Sequence, residues 1–388
     1  AEVERSLRVL DGGVVILDAV AGVQPQSETV WRQADRYKVP RICFVNKMDR
    51  VGADFDRTIE SISEKLNTSP VAIQIPVGSE GSFSGVLDLV GERSLIFPEG
   101  PPQSPIEGPV PEELVEEYRK YRHLMIERVA ETDELLTEKF LEGEQITQDE
   151  IKSALRRATI DYELVPILCG SAINNRGIQP LLDAVCDYLP SPLDVPPAEG
   201  SDYKTGAVVT RSADVEAPFA ALAFKSVSDP FIGRLVYFRV YSGKAQSGSM
   251  VFNSTTGRRE RLGRIVQMHA QERHEMDEVV AGQIAAAVGI KHASTGDTIC
   301  DESEPVILEA ISFPEPVMSE AIEPKTHADQ ERLSDALVKL SQEDPTFKVE
   351  HDQELLIIVQ RQSMVHNHCR LPLAALRHIA CEARQCRG

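Results

Sequence analysis

Asn46-Lys47-Met48-Asp49 and Gly170-Ser171-Ala172 are two short segments whose residue types could do chemistry together. The carboxylate of Asp49 can accept hydrogen bonds from the N1–H and the 2-amino group of a guanine. A backbone N–H near Ser171 and Ala172 can donate to its O6, and Lys47 can lay its methylene stem along a flat base. Adenine carries neither of those two donors and would leave Asp49 buried and unpartnered, a mismatch worth roughly 1–3 kcal/mol or more. The tetrapeptide alone is also compatible with a plain turn. Its placement favours the guanine reading. Residues 41–45 (Arg-Ile-Cys-Phe-Val) and 165–169 (Val-Pro-Ile-Leu-Cys) are apolar runs of the kind that form buried parallel strands, and each opens directly into one of the two segments. In an open α/β sheet ligands sit beyond the carboxyl ends of the strands, so both loops are expected at one site.

A nucleoside triphosphate site of this class also needs Gly-x-x-x-x-Gly-Lys-Ser/Thr, whose backbone N–H groups cradle phosphates and whose hydroxyl meets Mg²⁺. No window of the 388 residues matches it, and Gly243-Lys244 is followed by Ala245. The chain opens on Ala1 inside a helical pattern of Val3, Leu7 and Leu10. It is therefore expected to start within a domain, with the phosphate-binding and hydrolytic machinery upstream of residue 1.

The elements that must hold these loops follow from periodicity. Residues 14–18 are a third buried-strand candidate, and helices are expected over 27–37, with Ser27 as N-cap, over 55–66 and over 177–189. This is a nucleotide-binding α/β layout. About 120 residues separate Asp49 from Ser171, too many for one crossover. They hold strands at 71–77 and 86–90, a Pro-rich loop at 98–111, and helices at 112–131 and 147–158, the last opened by a Thr147/Glu150 capping box. They read as a folded insertion, about 68–160, in a domain of residues 1–190. Trp31 is expected to pack its helix against the sheet. A Pro-rich linker follows at 191–202. Short strands at 220–227, 234–241, 249–253, 261–267, 279–288 and 297–300, with Gly-containing turns, then predict a small β-barrel over 203–312. Residues 313–350 read as the start of a third, α/β sandwich domain with a strand at 317–323 and a helix at 328–342.

Composition narrows the class. A 42% hydrophobic share is that of a globular chain, and a net charge of −20 excludes a protein that coats nucleic acid by bulk electrostatics. No apolar run approaches 18 residues and no signal peptide is visible, so no membrane partner is expected. The seven cysteines form no C-x-x-C pair. Cys43, Cys169 and Cys300 lie in apolar strand-like runs and are expected as free core thiols in a reducing cytosol.

With these motifs in place the chain resembles the elongation factor G family of translational GTPases. The resemblance is carried by Glu2-Val3-Glu4-Arg5-Ser6-Leu7-Arg8-Val9-Leu10-Asp11-Gly12, by residues 19–35, 46–50 and 75–89, and by Gly170-Ser171-Ala172. It continues through residues 188–197, Arg239-Val240-Tyr241-Ser242-Gly243, Phe313-Pro314-Glu315-Pro316-Val317 and residues 341–347. It implies a partial GTP-binding α/β domain with a folded insertion, a translation-factor β-barrel that docks on the small ribosomal subunit, and the start of a third domain. It implies GTP as the nucleotide, with Asn46, Lys47, Met48 and Asp49 reading guanine and Ser171 and Ala172 contacting O6. The partners it implies are the ribosome, through ribosomal RNA and proteins, and a guanine nucleotide. A monomer in the cytosol or an organellar matrix or stroma is expected. In the family the phosphate loop, the Mg²⁺-ordered switch and an Asp-Thr-Pro-Gly-His segment all precede the residue equivalent to Glu2, so no catalytic residue carries over. A release-factor-3-like GTPase and a non-enzymatic ribosome- or protein-binding module are the alternatives.

The pattern stops after residue 354. Residues 351–388 carry five Arg against three acidic side chains, and residues 355–388 hold three of the seven cysteines and no lysine. His366, His368, Cys369, Cys381 and Cys386 could in principle meet Zn²⁺, but their spacing fits no zinc class. A frameshifted or chimaeric end is the expectation. Missing strands ahead of residue 14 would leave 14–18 as a hydrophobic sheet edge. The basic stretch Gly257-Arg258-Arg259-Glu260-Arg261 with Arg264 reads equally as an RNA-phosphate contact or a solvated strand face. The acidic residues 112–117 read as a solvated face, although the family's insertion meets ribosomal stalk proteins.

Overall fold

The computed structural model describes residues 2–98, 100, 104–229, 233–269, 272–308, 318–324, 333–334, 336–338, 340–341, 347–351, 357–361 and 381–385. The chain divides into two compact units, one of residues 10–195 and one that joins residues 1–9 to 196–388. The opening helix α1 (Glu2–Leu7) is grouped by its contacts with the later residues.

The unit 10–195 is built on four parallel strands: β1 (Gly13–Asp18), β2 (Arg41–Asn46), β3 (Pro70–Ala72) and a fourth at Val165–Cys169. Apolar runs through β2 and the fourth strand make them the central pair, buried almost throughout, as parallel strands covered on both faces must be. The spatial order is β1, β2, Val165–Cys169, β3. β1 is an edge strand with Val14 and Ile16 exposed. This is the hydrophobic sheet edge expected for 14–18, and its burial alternates as an edge strand's can.

Helix α2 (Pro25–Arg36) starts two residues before the expected Ser27. Gln24 is the N-cap and Pro25 occupies the first turn, where its fixed φ and missing N–H cost nothing. Trp31 on this helix is buried and covered by the Arg41 guanidinium, 4.0 Å from the ring centroid. Helix α3 (Phe55–Leu66) has the expected bounds, because Asp54 accepts from Arg57 N–H at the start and Asn67 takes the left-handed conformation at the end.

The strand expected at 71–77 is two strands. β3 joins the parallel sheet, whereas β4 (Gln74–Val77) turns into an antiparallel sheet with β5 (Gly85–Asp88), β6 (Arg93–Ile96) and β7 (Ile106–Gly108). Ile73 is the switch point: its N–H donates to Ile167 O in one sheet and its carbonyl accepts from Leu89 N–H in the other. The insertion therefore begins after β3, later than residue 68. Helices α4 (Val115–Ala130), α5 (Glu134–Glu142) and α6 (Gln148–Ile160) complete it, and α6 carries the expected capping box. The sequence reading missed α5, a short helix capped by Asp133 and ended by Gly143. The chain returns through the fourth parallel strand, now β8, to α7 (Ile178–Tyr188). Sheet, helices and insertion share one continuous core, in which Phe44 and Ile62 belong with Phe83, Leu87 and Met125.

The second unit contains an eight-stranded antiparallel sheet around a core of Phe238, Val240, Leu262 and Ile299, with short pieces of chain at Lys244–Gln246 and Glu278–Val280 paired beside it. The region expected as one strand at 279–288 breaks at the turn around Gly282, whose φ is +88°. Residues Ala198–Asp202 form a strand paired to Val208–Arg211 and Val306–Leu308, so the linker is shorter than 191–202. Beyond it, Met318–Pro324, Lys348–His351, Ile357–Arg361 and Cys381–Gln385 form a four-stranded antiparallel sheet. Two of those strands lie in the atypical tail. His366, His368, Cys369 and Cys386 lie outside the described residues. No helix among the described residues is long and apolar enough to cross a membrane.

Candidate functional site

β2 and β8 run parallel with Val45 opposite Cys169, so the two loops that follow them emerge side by side. The backbone continues the pairing beyond the strands. Gly170 N–H donates to Val45 O at 2.9 Å, and Met48 N–H donates to Gly170 O at 3.1 Å. Asn46 closes the junction with its side chain: Oδ1 accepts from Ala172 N–H at 2.9 Å and from Lys47 N–H at 2.8 Å. Asn46, Lys47, Met48, Asp49, Ser171 and Ala172 are thus brought together, across 126 residues of sequence in the case of Asn46 and Ala172.

Each of the six has a distinct environment. Met48 is buried and anchors the loop in the core. Lys47 sits at φ +68° and its ammonium reaches Asp18 Oδ2 at 2.5 Å. Asp18 ends β1 directly opposite Asn46, and its other oxygen accepts from Val20 and Ala21 N–H. The Lys47 ammonium holds the Asp18 carboxyl below the usual carboxylate range. Sequence reasoning missed Asp18; its one signal was its place at the carboxyl end of a parallel strand. Ser171 is buried, exchanges backbone hydrogen bonds with Arg176, and accepts from Asn174 Nδ2 at 3.1 Å. The Ser171 and Ala172 N–H groups are therefore both engaged within the protein, to Arg176 O and to Asn46 Oδ1.

Asp49 Oδ1 is buried, and among the described residues no donor reaches it. A buried carboxylate oxygen without a partner is costly, and a ligand with two adjacent N–H groups would satisfy it. Gly170 makes the junction possible. A Cβ there would lie 2.4 Å from Arg176 O and 2.6 Å from the Phe44 ring. Among the described residues no cluster of three carboxylate, imidazole or thiol side chains could hold a metal ion. No residue here is assigned to Mg²⁺.

A parallel α/β sheet whose strand ends present Asn-Lys-x-Asp beside Ser-Ala, followed in the chain by an antiparallel β domain, defines the translation-factor class of GTP-binding proteins. Residues 1–191 match the family model described as the elongation factor Tu GTP binding domain, residues 233–300 match elongation factor Tu domain 2, and residues 313–355 match elongation factor G domain III. Elongation factor G of Thermotoga neapolitana is 57% identical over 354 residues, which cover 91% of this chain and 51% of that protein. Elongation factor G of Thermotoga maritima matches to the same extent. A crystal structure of a protein from Thermus thermophilus superposes with a TM-score of 0.81 at 27% identity, covering 98% of this chain and 55% of that one. The chain belongs to the elongation factor G family, and it spans about half the length of the curated relatives it matches.

Proposed function

We propose that this chain is part of a ribosomal translocase that binds and hydrolyses GTP to move tRNA and mRNA. In this reading Asn46, Lys47, Met48, Asp49, Ser171 and Ala172 form its guanine site. Asp49 accepts from N1–H and the 2-amino group, Ala172 N–H is shared between Asn46 Oδ1 and O6, and the Lys47 stem lies along the base while Asp18 holds its ammonium. Asn46 ties the two loops so that base-edge donors and acceptors are set before the nucleotide arrives. GTP supplies the phosphoryl group whose loss drives the cycle, and Mg²⁺ accompanies its phosphates. The ribosome is the working partner of the whole protein, in the cytosol or an organelle, with the protein acting as a monomer. Its domains in this reading are a GTP-binding part that carries an insertion, a β-barrel and the start of a third domain.

The observation that carries the proposal is the buried Oδ1 of Asp49 beside the Ser-Ala loop, which has no partner among the described residues. Its test is Asp49→Asn, in which an acceptor becomes a donor. NMR-detected titration with GDP and with xanthosine diphosphate should show GDP weakened about 10- to 100-fold and the xanthine nucleotide favoured, since a buried polar mismatch is worth about 1–3 kcal/mol. Unchanged discrimination between the two bases would refute the assignment.

A further inference from the structure

The Asp49 loop has a second support that comes from the insertion. The turn between β4 and β5 carries Glu80, whose backbone N–H donates to Met48 O at 3.0 Å and whose Oε1 accepts from Gly52 N–H at 2.8 Å. One residue therefore holds the chain on both sides of Asp49, at positions 48 and 52. Glu80 does so at φ +53°, a left-handed conformation that non-glycine residues rarely adopt, and Gly78 two residues earlier sits at φ +76°. A Cβ on Gly78 would lie 2.3 Å from Ser82 O, and Ser82 and Ser79 cap one another across the turn. The turn is thus fixed from within. Three residues beyond Glu80, the carbonyl of Phe83 accepts from the guanidinium of Arg176, which is the residue that exchanges backbone hydrogen bonds with Ser171. The same short turn therefore reaches both loops of the base site.

This arrangement is not what an insertion needs merely to stay folded. Phe83 already anchors the turn in the shared core. The Glu80 carboxylate could instead point to water, yet it is spent on the backbone of Gly52, which sits at φ +83°. An ionised acceptor on a backbone N–H is the stronger kind of hydrogen bond. We propose that Glu80 is a positioning residue for base recognition: it clamps residues 48 and 52 so that the Asp49 carboxylate stays aimed at the base, and it makes guanine selectivity depend on the inserted segment. The proposal rests on the guanine reading of Asp49.

The test compares Glu80→Gly and Glu80→Gln in the full chain. Glu80→Gly keeps the backbone N–H to Met48 and tolerates the positive φ, but it removes the acceptor for Gly52; Glu80→Gln keeps an acceptor oxygen. NMR-detected affinities are measured for GDP, inosine diphosphate and ADP, with thermal unfolding as a check on folding. Inosine lacks the 2-amino group, so the GDP-to-inosine ratio reports how well Asp49 is placed. Glu80→Gly should shrink that ratio about three- to tenfold, the scale of one net hydrogen bond weakened, and Glu80→Gln should restore most of it. A ratio unchanged in Glu80→Gly, or equal losses for both nucleotides, would overturn the positioning role while the base reading stands. A wild-type chain that binds GDP, inosine diphosphate and ADP alike would instead refute the base reading, and this inference with it.

Discussion

Asp49 and Gly170 show at single residues how the site trades local comfort for recognition. Asp49 leaves a buried oxygen without a partner among the described residues, and Gly170 lets two backbones approach closer than any side chain would allow. Substituting Gly170 by Ala should therefore be expensive. The new methyl meets backbone on one side and the Phe44 ring on the other, neither of which can swing away as a flexible side chain would. Overpacking of this kind costs about 1–3 kcal/mol. Thermal unfolding should show that loss, and GDP binding should weaken with it because the displaced Arg176 O is the acceptor of Ser171 N–H. A Gly170→Ala variant with wild-type stability would mean that the two loops are looser than their hydrogen bonds imply. The sequence pointed to Lys47 as a candidate base contact. Its ion pair with Asp18 was not legible there, because Asp18 ends β1 and Lys47 follows β2, 29 residues apart.

Among the elements, α6 offers the clearest electrostatic test. Its first turn is closed by Glu150, which accepts from Thr147 N–H and Oγ1 and from Lys139 Nζ on α5. The Lys139 ammonium and the Thr147 donors pull the Glu150 carboxyl down to about 2. A carboxyl lowered on folding adds stability at pH values above its ordinary 4.5, and that stability disappears as the pH falls toward about 2. Glu150→Gln should accordingly be less stable than the wild type at neutral pH, and the two melting temperatures should converge over that window. A difference that stays constant from neutral to acid pH would contradict the ion-pair assignment. The capping box itself was readable from Thr147 and Glu150, because it is a contact between residues three apart. The pairing with Lys139 needed α5, whose nine residues are too few to show a helical period clearly. β1 makes the complementary point. Its apolar run reads as a strand, and Ile16 is 63% exposed because β1 lies at the sheet edge; the run alone does not encode that, and the expectation of an edge came from the strands missing ahead of it.

On the scale of the molecule, one feature of composition becomes an instrument. Trp31 is the single tryptophan, and it is buried in the unit of residues 10–195. Intrinsic fluorescence therefore reports the unfolding of that unit, the one that contains Asp49. A ligand that binds only the folded state stabilises it by about 2.7 kcal/mol at a hundredfold excess over Kd. GDP should raise the fluorescence-detected midpoint in proportion to the logarithm of its concentration, and ADP at the same concentration should leave it in place. A midpoint insensitive to GDP would argue against a guanine site in this unit.

Local order was largely set by the sequence alone. The apolar runs at 41–45 and 165–169, the bounds of α3, the capping box of α6, the antiparallel β domain and the Asn-Lys-x-Asp and Gly-Ser-Ala segments all depend on residues within a few positions of one another. Their physics is that of periodicity, caps and turns. The tertiary structure decided which distant segments meet. The strand order places β2 beside β8, so Asn46 can reach Ala172, and β1 beside β2, so Asp18 can reach Lys47. Ile73 divides its two backbone groups between two sheets, which turns the insertion back so that Glu80 holds Met48 and Gly52. No periodicity encodes such contacts. They follow from burying one continuous core while each backbone N–H and carbonyl near it finds a partner, a condition that only the assembled chain can meet.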